Sequence, residues 1–137
     1  MEPSLEFLES RRKELHRKLE ALGDFRRGTI SVNYRKCGKS NCACAQEQHP
    51  GHGPQYLWNA SVGGKTKARN LPLGPELEKV EKEVARYREF DRLCAELVEV
   101  NDQICHLRPV PVLDDDNELE QLKKKLRRHF ARKRRKK

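Results

Sequence analysis

No stretch of this sequence is apolar over anything near the roughly 20 residues that a bilayer crossing takes. Its first residues, MEPSLEFLES, carry neither the basic start nor the apolar run of a secretory leader. The expectation is a soluble chain with no membrane association, in the cytoplasm, where thiols stay reduced and open to metal. Hydrophobic residues are 35% of the 137 and aromatics only 6%, enough for one modest core that a metal staple would supplement. Catalytic signatures are missing as well. There is no P-loop, nucleophile elbow or dinucleotide-binding turn; Gly63-Gly64-Lys65-Thr66 matches the end of a phosphate-binding loop but lacks its first Gly and leads into a strand pattern. The acids lie among basic neighbours on helix faces or in the run Asp114 to Asp116, with no sign of a converging pair for catalytic metals. A binding protein, not an enzyme, is predicted.

What the sequence does have is CGKSNCACAQEQHPGHGP, with Cys37, Cys42, Cys44, His49 and His52 inside sixteen residues. Thiolate and imidazole are the donors zinc prefers, and three thiols with one histidine would close its tetrahedron, leaving no position for water or substrate. The predicted cofactor is thus a structural Zn2+ held by Cys37, Cys42, Cys44 and His52, with His49 the second choice for the fourth ligand. His52 is preferred because the turn Gly51-His52-Gly53-Pro54 can swing its imidazole back. The competing readings are a disulfide or unliganded thiols, which the odd total of five cysteines and the absence of a leader disfavour. Cys94 and Cys105, three helical turns apart, read as small core residues and not as a redox pair.

Net charge is +9, and it is unevenly spread. KKKLRRHFARKRRKK, from Lys123 to Lys137, holds eleven Lys and Arg and no acid; taking those from thirty leaves nineteen basic against twenty-one acidic residues in the rest. Such a run repels itself and gains affinity for polyanions by displacing their counterions. It reads as a disordered or partly helical tail behind an acidic linker. Nucleic acid is the expected partner, DNA favoured over RNA, with nucleoid association as the corollary; a solvated tail or a nuclear-localisation signal is the plainer alternative. The candidate contacts in the tail are Lys123, Lys124, Lys125, Arg127, Arg128, Arg132, Lys133, Arg134 and Arg135.

Leu5, Leu8, Leu15, Leu19 and Leu22 fall at helical steps broken only by Arg12, behind Ser4 as N-cap and ahead of Gly23. From Glu76 to about Arg108 a longer helix carries Val80, Val84, Tyr87, Phe90, Cys94, Leu97, Asn101 and Ile104 on one side and ends at Pro109 and Pro111. Between them, Thr29 to Tyr34 and Tyr56 to Val62 alternate as strands, and Gly63-Gly64 turns the chain into a third, Lys65 to Leu71. The predicted fold class is α+β: a zinc-stabilised antiparallel sheet of about three strands, clamped between two long antiparallel coiled-coil-like helices. The corresponding segments are 1–24 for the first helix, 25–74 for the zinc and strand region, 75–108 for the long helix, and 109–137 for linker and tail. Arg26, Arg27, Arg35 and Lys36 before the first cysteine, with Lys65, Lys67 and Arg69 on one side of the third strand, would form a basic surface beside the metal. Tyr56 and Trp58 offer stacking surface for bases or, as such residues more often do, core. The heptad-like seams over residues 4–22 and 76–108 open a second possibility, a protein partner or a homodimer, with Asn101 as a register-fixing polar residue.

The order Arg27-Gly28-Thr29-Ile30-Ser31, Tyr34, Cys37-Gly38-Lys39, Cys42-Ala43-Cys44, His52-Gly53-Pro54, Tyr56 and Gly64-Lys65-Thr66 resembles a small bacterial domain family of unknown function, across about residues 26–101. The chain departs from that pattern in having Gln55 where the family usually has Tyr. The resemblance implies a zinc-stabilised module and, since some members are encoded with transposases, a mobile-element connection. It implies no established activity.

Overall fold

A computed structural model describes residues 2–135. The first of its two compact units runs to His106 and contains two helices and the sheet; the second begins at Leu107.

Helix α1, Leu5–Glu20, starts where Ser4 Oγ accepts the Phe7 N–H at 3.1 Å, satisfying one of the donors that a helix start leaves free. Three strands follow, β1 (Thr29–Arg35), β2 (His52–Val62) and β3 (Lys65–Leu71), in the order β1-β2-β3 with both pairings antiparallel. The cysteine-rich loop joins β1 to β2, and Gly63-Gly64 makes the tight turn to β3. Helix α2, Pro75–Leu107, is 33 residues long. An α+β fold with a three-stranded antiparallel sheet is therefore what the chain adopts.

Facing residues of paired strands share a side of the sheet. Ile30, Trp58 and Arg69 stand in one row and Val32, Tyr56 and Leu71 in the next. On this side Leu71, Val80 and Val84 form the buried centre, with Ile30, Tyr56, Trp58 and Leu77 packed around it. The other side carries Thr29, Ser31 and Asn33 of β1, Gln55, Leu57, Asn59 and Ser61 of β2, and Thr66, Ala68 and Asn70 of β3.

The helices do not clamp the sheet between them. The sheet rests on the N-terminal half of α2, through Val80 and Val84, and α1 rests on the C-terminal half. There Leu8 and Leu15 are buried, as are Leu93, Val100 and Ile104. At the helical advance of about 100° per residue, the Leu93, Val100 and Ile104 face lies roughly 160° around α2 from Val80 and Val84. One continuous stripe cannot serve both neighbours, which is why the seam drawn through Cys94 and Leu97 missed Leu93 and Val100. Cys94 is half-buried and Cys105 exposed, so Cys105 is not the core residue expected.

Arg12, which interrupts the α1 seam, and Asn101, which interrupts that of α2, meet: Arg12 Nη1 donates to Asn101 Oδ1 at 3.1 Å, and Asn101 Nδ2 donates to the Leu97 carbonyl at 2.9 Å. Arg11 pairs with Glu96 alongside, its Nε donating at 2.9 Å. These contacts tie α1 to the C-terminal half of α2. The linker from α1 to β1 is fastened at mid-helix. Phe25 stacks on Phe90 with centroids 4.6 Å apart, the Arg26 N–H donates to the Glu83 carbonyl, and Arg86 donates to the Asp24 carbonyl.

In the second unit Asp116–Arg135 forms helix α3, which takes in the basic segment as far as Arg135. Asp115 supplies the cap, its Oδ1 accepting the Asn117 N–H at 2.8 Å. Asp116 and Glu118 lie in the first turn and Arg132, Lys133, Arg134 and Arg135 in the last, both favourable to the helix dipole. Leu, Lys and Arg are also good helix formers, which offsets part of the repulsion among the basic side chains. Lys136 and Lys137, which complete the basic run, lie outside the described residues. No described helix is long and apolar enough to cross a membrane.

Candidate metal centre

Four side chains of the cysteine-rich loop converge. The donor atoms of Cys37, Cys42, Cys44 and His52 all lie within 4.8 Å of one another, and this set can hold a metal ion. Cys37 Sγ is 3.5 Å from Cys44 Sγ, and Cys42 Sγ is 3.3 Å from His52 Nε2. Metal bonds of about 2.3 Å to sulfur and 2.0 Å to nitrogen imply tetrahedral edges of roughly 3.5–3.8 Å, so the donors already stand near ligating separation.

Local hydrogen bonds build the loop. The Cys42 N–H donates to the Lys39 carbonyl at 3.3 Å, closing the first turn, and a 3₁₀ turn over Ala43–Ala45 follows, with the Ala45 N–H on the Cys42 carbonyl at 3.0 Å. Its tight winding turns Cys44 inward, where it is fully buried, while Cys42 is half-buried and Cys37 exposed. Lys36 Nζ braces the far side by donating to the Gln46 carbonyl at 3.1 Å.

His52 enters from the first position of β2, opposite Arg35, and not from a turn as the sequence suggested. Two glycines permit that approach. A Cβ on Gly51, at φ +108°, would stand 2.8 Å from the Arg35 carbonyl carbon, and one on Gly53, at φ +142°, would stand 2.8 Å from the Asn33 carbonyl oxygen. His49 is engaged elsewhere: its Nδ1 accepts the Gly51 N–H at 3.0 Å. Of the two candidates for fourth donor, His52 is the one in the cluster.

The thiols respond to their shared site. A hydrogen bond from the Lys39 backbone, helped by the Cys44 side chain, holds the Cys37 thiol below its ordinary range. The Cys44 backbone and side chain do the same for Cys42. At Cys44 the Cys37 backbone N–H favours the thiolate, but burial together with the neighbouring Cys37 and Cys42 outweighs it and pushes the thiol up. Three anions packed this closely oppose one another, and a bound cation removes that opposition.

The basic residues divide by role. Arg26 pairs with Glu83 at 3.0 Å and lies over the Trp58 ring, 4.8 Å from its centroid. Arg69 pairs with Glu76 at 2.8 Å and covers Trp58 at 5.9 Å. Trp58 also donates Nε1–H to the Arg27 carbonyl at 2.9 Å and packs against the Leu71, Val80 and Val84 core, so its ring belongs to the joint between sheet and α2. Arg27, Arg35, Lys36, Lys65 and Lys67 are exposed, as are all nine described Lys and Arg of α3 from Lys123 to Arg135. Lys65 and Lys67 stand on the α2 side of the sheet, opposite Val62 and Ala60.

A family model described as a domain of unknown function (DUF6788) matches residues 5–82. The chain belongs to that family. The DUF6788 match spans α1, the sheet, the whole cysteine-rich loop and the start of α2, so the metal cluster is inside it and α3 outside. No curated protein and no solved structure matches the chain.

Proposed function

We propose that this protein is a zinc-stabilised, non-catalytic nucleic-acid-binding accessory protein. The observation that carries the reading is α3: beyond Glu120 it has no acidic residue, and its exposed cations occupy residues 123–135 of a capped helix, about 20 Å of positive charge. The exposed Arg27, Arg35, Lys36, Lys65 and Lys67 add cations near the sheet. Zinc is the favoured ion because three thiols and an imidazole suit it and four protein donors leave no open position. Its role is then to fasten the loop joining β1 to β2.

DNA is favoured over RNA, and the cytoplasm or nucleoid is the matching location. The resemblance to domains encoded with transposases supports a role as helper to a transposase or recombinase. Metal analysis of the purified protein, together with binding to duplex DNA across a salt series, tests this reading. One zinc per chain and salt-sensitive binding are expected, and no binding at low salt refutes it. A second reading, a protein-interaction adaptor that pairs or dimerises through residues 4–22 and 76–108, draws on Phe7 and Val98, which stand 61% and 60% exposed on the helices. Light scattering at micromolar concentration distinguishes a dimer from a monomer.

A further inference from the structure

The far side of the sheet, turned away from α2, is unusual in its chemistry. It presents ten side chains from three strands, eight of them Ser, Thr, Asn or Gln, and no charged side chain among the described residues stands in those rows. Four of the 25 strand residues are charged, Arg35, Lys65, Lys67 and Arg69, so one or two would be expected among ten positions. The β3 cations Lys65, Lys67 and Arg69 stand on the opposite side. Asn33, Gln55, Thr66 and Asn70 are exposed. The centre of the face is organised by Ser31 Oγ, which accepts from Asn59 Nδ2 at 2.9 Å and from Asn33 Nδ2 at 3.4 Å.

We infer that this face reads base edges in the major groove of duplex DNA, an inference that rests on the nucleic-acid reading above. Three strands at about 4.8 Å spacing span roughly 10 Å of backbone, against a B-form major groove roughly 12 Å wide that already admits β-ribbons. The groove floor is a pattern of donors and acceptors without net charge. Asn and Gln match it in two directions at once, pairing with adenine, while Ser and Thr serve either role. A face without acids meets no repulsion from the phosphates on either side. Exposed Arg27, Arg35 and Lys36 flank the two ends of β1, an edge strand that would run beside a groove wall. Duplex RNA does not fit, because its major groove is too deep and narrow for side chains to read.

The test selects duplex DNA from a randomised pool with the full-length zinc-loaded protein, then compares the selected and a scrambled duplex. The proteins are the wild type, the triple variant Asn33→Ala, Gln55→Ala, Asn70→Ala, and the single variant Thr66→Glu, with zinc content and circular dichroism checked for each. A consensus is expected, preferred by tenfold or more. The triple variant should lose roughly tenfold in discrimination per contact removed while its affinity for the scrambled duplex stays within about twofold. Thr66→Glu should weaken binding to both. Binding without any consensus, a consensus kept by the triple variant, or a preference for single-stranded RNA overturns the inference and leaves nucleic-acid binding intact. Failure to bind any nucleic acid removes the underlying reading as well.

Discussion

Gly51→Ala isolates the close approach that brings His52 to the cysteines. The new Cβ would lie 2.8 and 2.9 Å from the Arg35 carbonyl carbon and nitrogen, both backbone atoms that no rotamer change can move, and the residue would keep φ at +108°. The backbone strain alone is worth about 1–3 kcal/mol and the contact adds to it, so the β1–β2 junction should open at a cost of about 3 kcal/mol or more. Since metal binding and loop folding are coupled, that cost appears as roughly a hundredfold loss of zinc affinity. Gly38→Ala is the control. Gly38 lies beside Cys37 at φ +82°, but its Cβ would meet nothing within 4 Å, leaving only a conformational cost of about 1–2 kcal/mol and roughly a tenfold loss. Competition against a zinc chelator reads both. Equal losses in the two variants would mean that contact with the Arg35 backbone does not govern the position of His52, and the reasoning would fail.

Cys42→Ser should bring zinc content well below one per chain, and His52→Ala should weaken zinc far more than His49→Ala, because His49 bonds to the Gly51 N–H and stands outside the cluster. Elemental analysis and chelator competition check both. Glu83→Gln should lower the thermal midpoint by roughly 5 °C at neutral pH, since Glu83 is buried and pairs with Arg26 and Lys79. The hydrogen bond from Lys79 and the charge of Arg26 hold its carboxyl below the usual range. The gap from wild type is therefore full above that range and should close as pH falls through the depressed value, a trend thermal melts across acid pH would follow. On duplex DNA, contact with six phosphates gives a log-log salt slope of about −5. Replacing Lys123, Lys124, Lys125, Arg127 and Arg128 with Gln in the full chain should flatten it by about 3, and an unchanged slope would place the phosphate contacts elsewhere.

Much of this was legible because it is local. Ser4 before an apolar period marks a helix start, Gly63-Gly64 between alternating runs marks a hairpin, and three cysteines with two histidines in sixteen residues can converge without long-range help. What sequence reasoning missed depends on which neighbour comes to which side of α2. Val80 and Val84 serve the sheet, whereas Leu93, Val100 and Ile104 serve α1. The spacing of those last three, seven and then four residues, is a visible helical signal, but extending a single stripe from Val84 hides it. Which face of the sheet is covered was not legible for a related reason. Alternation says that Lys65, Lys67 and Arg69 share a side, yet only the pairing of Arg69 with Trp58 and Ile30 shows that this is the side α2 covers.

This geometry gives the metal centre a reach beyond its own loop. The cluster closes the connection between β1 and β2 at the Arg35 and His52 pair, next to the irregularity between Asn33 and Arg35. Asn33 pairs with Gln55 in the first regular row after it, and Tyr56 in the following position packs against the Leu71, Val80 and Val84 core. Releasing the metal should therefore loosen the Asn33 and Gln55 row before it disturbs α2, whose C-terminal half is held separately by Leu8, Leu15 and the contacts of Arg11 and Arg12. Hydrogen exchange on zinc removal separates these cases. Protection should fall first at β1 and the start of β2 and persist near Leu93 and Val100, because the two ends of α2 draw their stability from different neighbours. Simultaneous loss along the whole of α2 would instead make the sheet and the helix pair a single cooperative unit.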